Sequence, residues 1–212
     1  MNYETDKIIF VCYPPGAGGK FLINCLGISR HAVLQHQDLI DYTTEQKQIF
    51  LLNKLSGHSG PWKDLGLGCN ELLGDLKLSG TLEHGAILGK LEVGLPFNDT
   101  AIMLSNQEDK DFFYVCHDEE TRYANLKVFP FAKQIHFINC NNFLSKRPSH
   151  SMQKEVQWYS KTGLIWDTDW FEDIVATLNG IELFYNNLGY TDFDNVNEWI
   201  KEYYKMWIQT IR

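Results

Sequence analysis

Apolar and polar positions change their period several times along this chain, and each change predicts an element. Ile8-Ile9-Phe10-Val11-Cys12-Tyr13 is apolar without interruption. Strict alternation would mark a strand with one wet face, whereas an unbroken run predicts a strand covered on both faces, as in a parallel sheet. Pro14-Pro15 ends it, because proline brings no N–H to a ladder. After Gly16, Gly18 and Gly19 the period becomes helical, with Phe21, Leu22, Cys25, Leu26 and Ile28 on one face.

His31–Asp41 reads as a connection, and Thr44–Leu55 as a helix with Thr44 as its N-cap and Ile49, Leu52 and Leu55 inward. Thr100–Leu104, Phe112–His117 and Gln134–Cys140 predict strands. In the last third, Phe171, Ile174, Val175, Leu178, Ile181 and Tyr185 make one apolar stripe that ends near Gly189. Asp194 is expected to cap a final helix carrying Val196, Trp199, Ile200, Tyr203, Trp207 and Ile211. Five of the six tryptophans fall in this third. Aromatic residues at helical spacing are core far more often than ligand boxes, so both helices are taken as cover for the sheet and their acids as solvated faces.

Buried strands separated by helical patterns need crossover connections. The expected fold is therefore α/β, a mainly parallel sheet flanked by helices on both faces with Lys7–Tyr13 in its interior. Residues 1–212 read as a single α/β domain, with a glycine-rich insert over 57–94 and C-terminal helices over 170–212. Ser56–Gly94 holds nine of the sixteen glycines with no fixed period. That composition suits either irregular loops around a site or short helices with glycine C-caps.

Composition narrows the function. At 212 residues one domain with a sizeable core is the natural count. A formal net charge of −8 argues against nucleic acid or an acidic membrane surface as a general partner, so an anionic ligand needs a local basic pocket. No apolar run approaches the ~18–20 residues of a membrane span, and Met1–Lys7 is polar, so a cytoplasmic protein is expected. The five cysteines are odd in number and form no C-x-x-C pair, which points to reduced thiols rather than zinc or a disulfide framework.

Candidate chemistry concentrates where the first strand ends. A strand, a glycine loop and a helix led by Lys20 is the arrangement that cradles a phosphate on a helix N-terminus. Against the phosphate-loop pattern G-x-x-x-x-G-K-[ST], Gly19-Lys20 match, Pro14 takes the first glycine position, and Phe21 takes the hydroxyl position. That hydroxyl ligates Mg²⁺ in nucleotide hydrolases, so the loop suits an anion without that metal. A tight strand-to-helix turn with only a packing role is the alternative. His117 closes the FFYVCH strand, at the sheet edge where α/β ligands bind. It is the histidine chosen for a chemical role, against the alternative of a loop histidine that caps a helix or bonds a backbone carbonyl.

These residues carry a family resemblance. YPPGAGGKFL is similar to the phosphosulfate-binding loop of sulfotransferases, Y-P-K-S-G-T-T-W-L, with Pro15, Gly18, Phe21 and Leu22 matching its proline, glycine, aromatic and leucine. YVCHDEE resembles the family's strand ending in a catalytic histidine, K-T-H-L-P, and LKVFPFAKQIHFINCNNF its next segment, L-P-x-A-K-I-I-Y-V-V-R-N-P. The match covers two blocks, around residues 7–26 and 112–151. The chain departs from the pattern in three places. The family's loop lysine is Gly16 here, so Lys20 is left to supply that charge. The arginine that grips the donor's 3′-phosphate falls on Cys140, and the serine that follows falls near Pro148-Ser149, leaving Arg147 and Ser149 as substitutes. The family's late glycine-rich basic loop has no counterpart in the helical C-terminus.

The resemblance implies a three-layer P-loop-like fold and sulfuryl transfer from 3′-phosphoadenosine 5′-phosphosulfate to a hydroxyl or amine of a small-molecule or glycan acceptor. It implies donor binding by Pro15, Gly16, Ala17, Gly18, Gly19, Lys20, Phe21, Arg147 and Ser149. It further implies catalysis by Lys20 and His117, and no metal. Two rival readings remain: a P-loop kinase or nucleotide hydrolase with Asp118 as its metal ligand, and a non-catalytic anion- or nucleotide-binding module of the same fold.

Overall fold

The computed structural model describes residues 6–14, 16–32, 43–56, 109–116, 122–123, 126–127, 129–145 and 163–211. Of the sequence expectations, Pro15, His117, Asp118, Arg147, Ser149, Cys69, the Thr100–Leu104 strand and the 57–94 insert lie outside the described residues. Four strands form one sheet: β1 (Ile8–Cys12), β2 (Phe112–Cys116), β3 (Lys133–Ile138) and β4 (Leu164–Asp167). Their order is β2-β1-β3-β4, and every neighbouring pair is parallel. The chain is therefore α/β, with β1 in the sheet interior as its continuous apolar run requires.

All five β1 residues are buried, and their side chains alternate between two covered faces. On one face Tyr13 meets Phe137, and Phe137 meets Trp166 and Phe171. On the other, Phe10 packs edge-on against Phe129 from the connection between β2 and β3. Helices α1 (Gly19–Gly27), α2 (Thr44–Ser56), α3 (Cys140–Ser145), α4 (Ile174–Leu188) and α5 (Phe193–Ile211) complete the described elements, with a 3₁₀ turn at Thr168–Glu172 between β4 and α4. Among the described residues no helix is long and apolar enough to cross a membrane.

Several boundaries differ from the sequence expectation. The N-cap of α2 is Thr43, not Thr44: the Thr43 hydroxyl accepts from the Gln46 amide, and the Gln46 side chain accepts from the Thr43 amide. This reciprocal pairing is a capping box, satisfying two amides that a helix start leaves over. The inward face of α2 is also shifted, to Lys47, Leu51 and Leu55, while Ile49 is 54% exposed. The Lys47 ammonium, only 4% exposed as a residue, donates to the carbonyls of Gly27, the last residue of α1, and of Ser29 and Ala32 beyond it. It neutralises the negative end of that helix dipole and adds a charged donor to carbonyls that a helix end leaves short of partners.

At the C-terminus the apolar stripe of α4 runs through Thr177, Gly180, Ile181, Phe184 and Tyr185, and Val175 lies outside it, 60% exposed. Phe171 belongs to the preceding 3₁₀ turn, and Asp194 sits within the first turn of α5 rather than capping it. Asp192 is no solvated acid: it is buried, accepting from the Ser29 hydroxyl and the Arg30 amide. The described cysteines 12, 25, 116 and 140 are buried thiols outside any disulfide.

Candidate functional site

The order β2-β1-β3-β4 fixes where a ligand crevice belongs. From β1 the chain leads to β2 on one side, and from β3 it leads to β4 on the other. The direction of winding reverses between β1 and β3, and in open α/β sheets ligands bind beyond the carboxyl ends of the strands at such a reversal. The glycine loop leaves β1 at that point. On the β3 side the border is Asn139, whose positive φ of 54° turns the chain into α3. The Asn139 amide donates to both carboxylate oxygens of Asp167, at 3.0 and 2.9 Å, tying the ends of β3 and β4 together. β3 therefore stops at Ile138, and Cys140 opens a helix instead of closing the strand.

The loop is a turn closed by the Ala17 amide on the Pro14 carbonyl. Gly16 and Gly18 have φ values of 84° and 87°, in the left-handed region that favours glycine. Gly18 is the N-cap of α1 and offers no side-chain acceptor. The amides of Gly18 and Gly19 have no acceptor among the described residues. A helix start leaves such donors over, and together with the positive end of the dipole they favour an anion. Ala17, Gly18 and Gly19 are buried, whereas Gly16 and Lys20 are half-buried and give the loop its access to solvent.

What buries the loop is aromatic. A Cβ at Gly19 would stand 2.2 Å from the Tyr13 ring. At Gly18 it would meet Phe171 at 2.8 Å and Trp207 at 3.2 Å. Phe21, in the first turn of α1, stacks on Trp207 with ring centroids 4.4 Å apart. Phe21 is thus fully committed to the core. The same glycines serve packing and open a helix start, so the two readings of this loop coexist in one geometry. The 3₁₀ turn that delivers Phe171 also carries the exposed acids Asp169 and Glu172.

Of the expected site residues, the structure brings Gly16, Ala17, Gly18, Gly19, Lys20 and Phe21 together on one loop and helix start. Cys140 is 7% exposed, and burial pushes its thiol up to about 12, so it is neutral and brings no charge to the position where the resemblance puts an arginine. Sequence reasoning missed a buried polar row on the sheet face opposite α1. Cys116, Cys12 and His136 are register partners across β2, β1 and β3. The Gln134 side-chain oxygen Oε1 accepts from Arg122 at 3.1 Å and lies 3.2 Å from His136 Nε2, which places the ring proton on Nε2. Burial, and then the Arg122 charge, lower the His136 pKa to about 4, so the ring is neutral at pH 7. Burial drives the Cys12 thiol well up. A neutral thiol beside a weakly basic ring is poor nucleophilic chemistry, and this row is read as structural.

Comparison with protein-family models, with curated proteins and with solved structures finds no match to this chain.

Proposed function

We propose that the chain is a sulfotransferase-like enzyme of three-layer P-loop-like fold, moving a sulfuryl group from 3′-phosphoadenosine 5′-phosphosulfate to an acceptor hydroxyl or amine. One observation carries the reading: the glycine loop leaves central strand β1 where the strand order reverses, and it opens a nine-residue helix whose N-cap has no side-chain acceptor. The donor supplies the activated sulfuryl group and leaves as an adenosine bisphosphate. In this reading the Gly18 and Gly19 amides and the Lys20 ammonium hold the phosphate beside the sulfuryl group and neutralise charge that gathers on it. His117 takes the acceptor's proton. Histidine is the side chain that ordinarily exchanges a proton near neutral pH, as such a base must. The described residues fit one anionic group of the donor. Grip on the 3′-phosphate falls to Arg147 and Ser149, given the neutral thiol of Cys140.

That thiol also favours a second reading, a non-catalytic module that binds an anion or nucleotide on the same loop. Activity separates the two. With labelled donor and a panel of small hydroxyl compounds, amines and glycans, His117→Ala should cut transfer by ~10²–10⁴-fold and leave affinity for adenosine 3′,5′-bisphosphate nearly intact. Equal turnover by the variant removes His117 from catalysis. Bisphosphate binding without transfer to any acceptor supports the module, and preference for ATP with Mg²⁺ supports a phosphoryl-transfer enzyme.

A further inference from the structure

We propose that Trp207 is a positioning residue of the glycine loop: from the far end of the chain, its indole holds Gly18 and the first turn of α1 in the shape that presents their amides. The inference rests on the anion-binding reading of that loop. A glycine-rich turn has no side chains of its own to fix its backbone, and its order must come from what surrounds it. Gly18 has no capping side chain, and at φ 87° it lies against Phe171 and Trp207, where an added Cβ would be 2.8 and 3.2 Å from their rings. Trp207 also stacks on Phe21, at 4.4 Å with 28° between the planes, so it touches both sides of the turn into α1.

Phe171 is held in turn by α5. The Tyr204 hydroxyl donates to the Phe171 carbonyl at 2.6 Å, and the Phe171 ring lies 5.0 Å from that of Trp207. One turn earlier, Tyr203 stacks on Phe21 and accepts from the Asn24 amide at 2.7 Å. α5 has a separate anchor on α2, where the Trp199 indole donates to the Gln48 carbonyl at 3.2 Å. Removing the Trp207 ring therefore leaves α5 docked by its preceding turns while withdrawing the support under Gly18. A loop that must be ordered on binding loses affinity by the fraction of time it spends out of shape, so this support raises anion affinity without touching the anion.

The test pairs hydrogen exchange of the ligand-free chain with a titration. In Trp207→Leu, amides 16–22 should exchange at least about tenfold faster than in the wild type, while β1, β2 and β3 keep their rates. Trp207→Phe, which keeps a ring over Phe21, should restore most of the protection. Binding of adenosine 3′,5′-bisphosphate should weaken in the leucine variant and recover in the phenylalanine variant. Unchanged exchange over 16–22 overturns the proposal. So does an equal rise over the three strands, which would mark general loss of stability. Should Trp207→Leu fail to fold, Trp207→Phe decides alone: its 16–22 amides must still exchange faster than wild type, because the smaller ring falls short of Gly18. A wild-type chain that does not bind the bisphosphate sinks the anion-binding reading and leaves the exchange result to judge the positioning role.

Discussion

The ring of Tyr13 lies so close to Gly19 that a Cβ on Gly19 would stand 2.2 Å from its Cδ1 and Cε1 atoms. The last residue of the first apolar run thus fixes the residue that opens α1. Gly19→Ala should lower stability by ~2–3 kcal/mol in urea unfolding, because both groups are buried and the ring must move into filled space. Tyr13→Leu in the same chain should recover part of that loss, which a double-mutant cycle measures. Gly189 is the contrast. It has φ 79° and nothing within 4 Å of an added Cβ, so Gly189→Ala should cost only the backbone strain of about 1 kcal/mol.

Lys47 gives a second contrast, between a buried charge and an exposed apolar residue on the same helix. Its ammonium serves the carbonyls of Gly27, Ser29 and Ala32 at 2.9–3.2 Å. Lys47→Met keeps most of the stem and removes the donor, and should cost about 2–3 kcal/mol. Ile49→Ser, at a 54% exposed position, should change stability by no more than ~0.5 kcal/mol. Reversed magnitudes would contradict the observed inward face of α2.

His136 predicts a pH dependence. Its pKa falls from 6.5 to about 4 on folding, through burial first and the Arg122 charge second. The unfolded chain therefore binds the extra proton between those values. The stability this ring contributes is full above pH 6.5 and is lost as pH falls toward 4, by at most about 3 kcal/mol. His136→Gln has no such proton to bind. Over pH 7 to 4.5 the wild type should lose more stability than the variant in matched urea titrations. Parallel curves would show that the ring is not buried neutral.

The sequence was readable wherever one local rule dominates. β1 and β2 are apolar runs, β3 sets Ile135, Phe137 and Ile138 among polar residues, and Gly189 is a plain helix stop. β4 escaped notice because it has only four residues, with Ile165 exposed and Trp166 the one fully buried side chain. Thr43 and Lys47 were passed over because their roles lie in partners: Gln46 three residues on, and carbonyls 15–20 residues away. Val175 was misplaced because the 3₁₀ turn at Phe171 shifts the phase of the stripe. For the site, the glycines and Lys20 could be recognised as a loop ahead of a helix. Its aromatic floor could not, since Tyr13, Phe171 and Trp207 meet only through the fold. The reversal between β1 and β3 likewise depends on strand order, which no local pattern encodes.

The central claim is that the start of α1 holds an anion, and amide resonances report on it directly. Titrating the ¹⁵N-labelled chain with adenosine 3′,5′-bisphosphate should shift the Gly18 and Gly19 amide signals first and most, with saturation at one equivalent. Lys20→Ala should weaken that binding by about tenfold or more, as expected when a charged hydrogen bond is lost. Lys205→Ala, on the exposed side of α5, should leave it unchanged. If the Gly18 and Gly19 signals stay fixed while the ligand is bound elsewhere or not at all, the loop is a packing turn and the account fails.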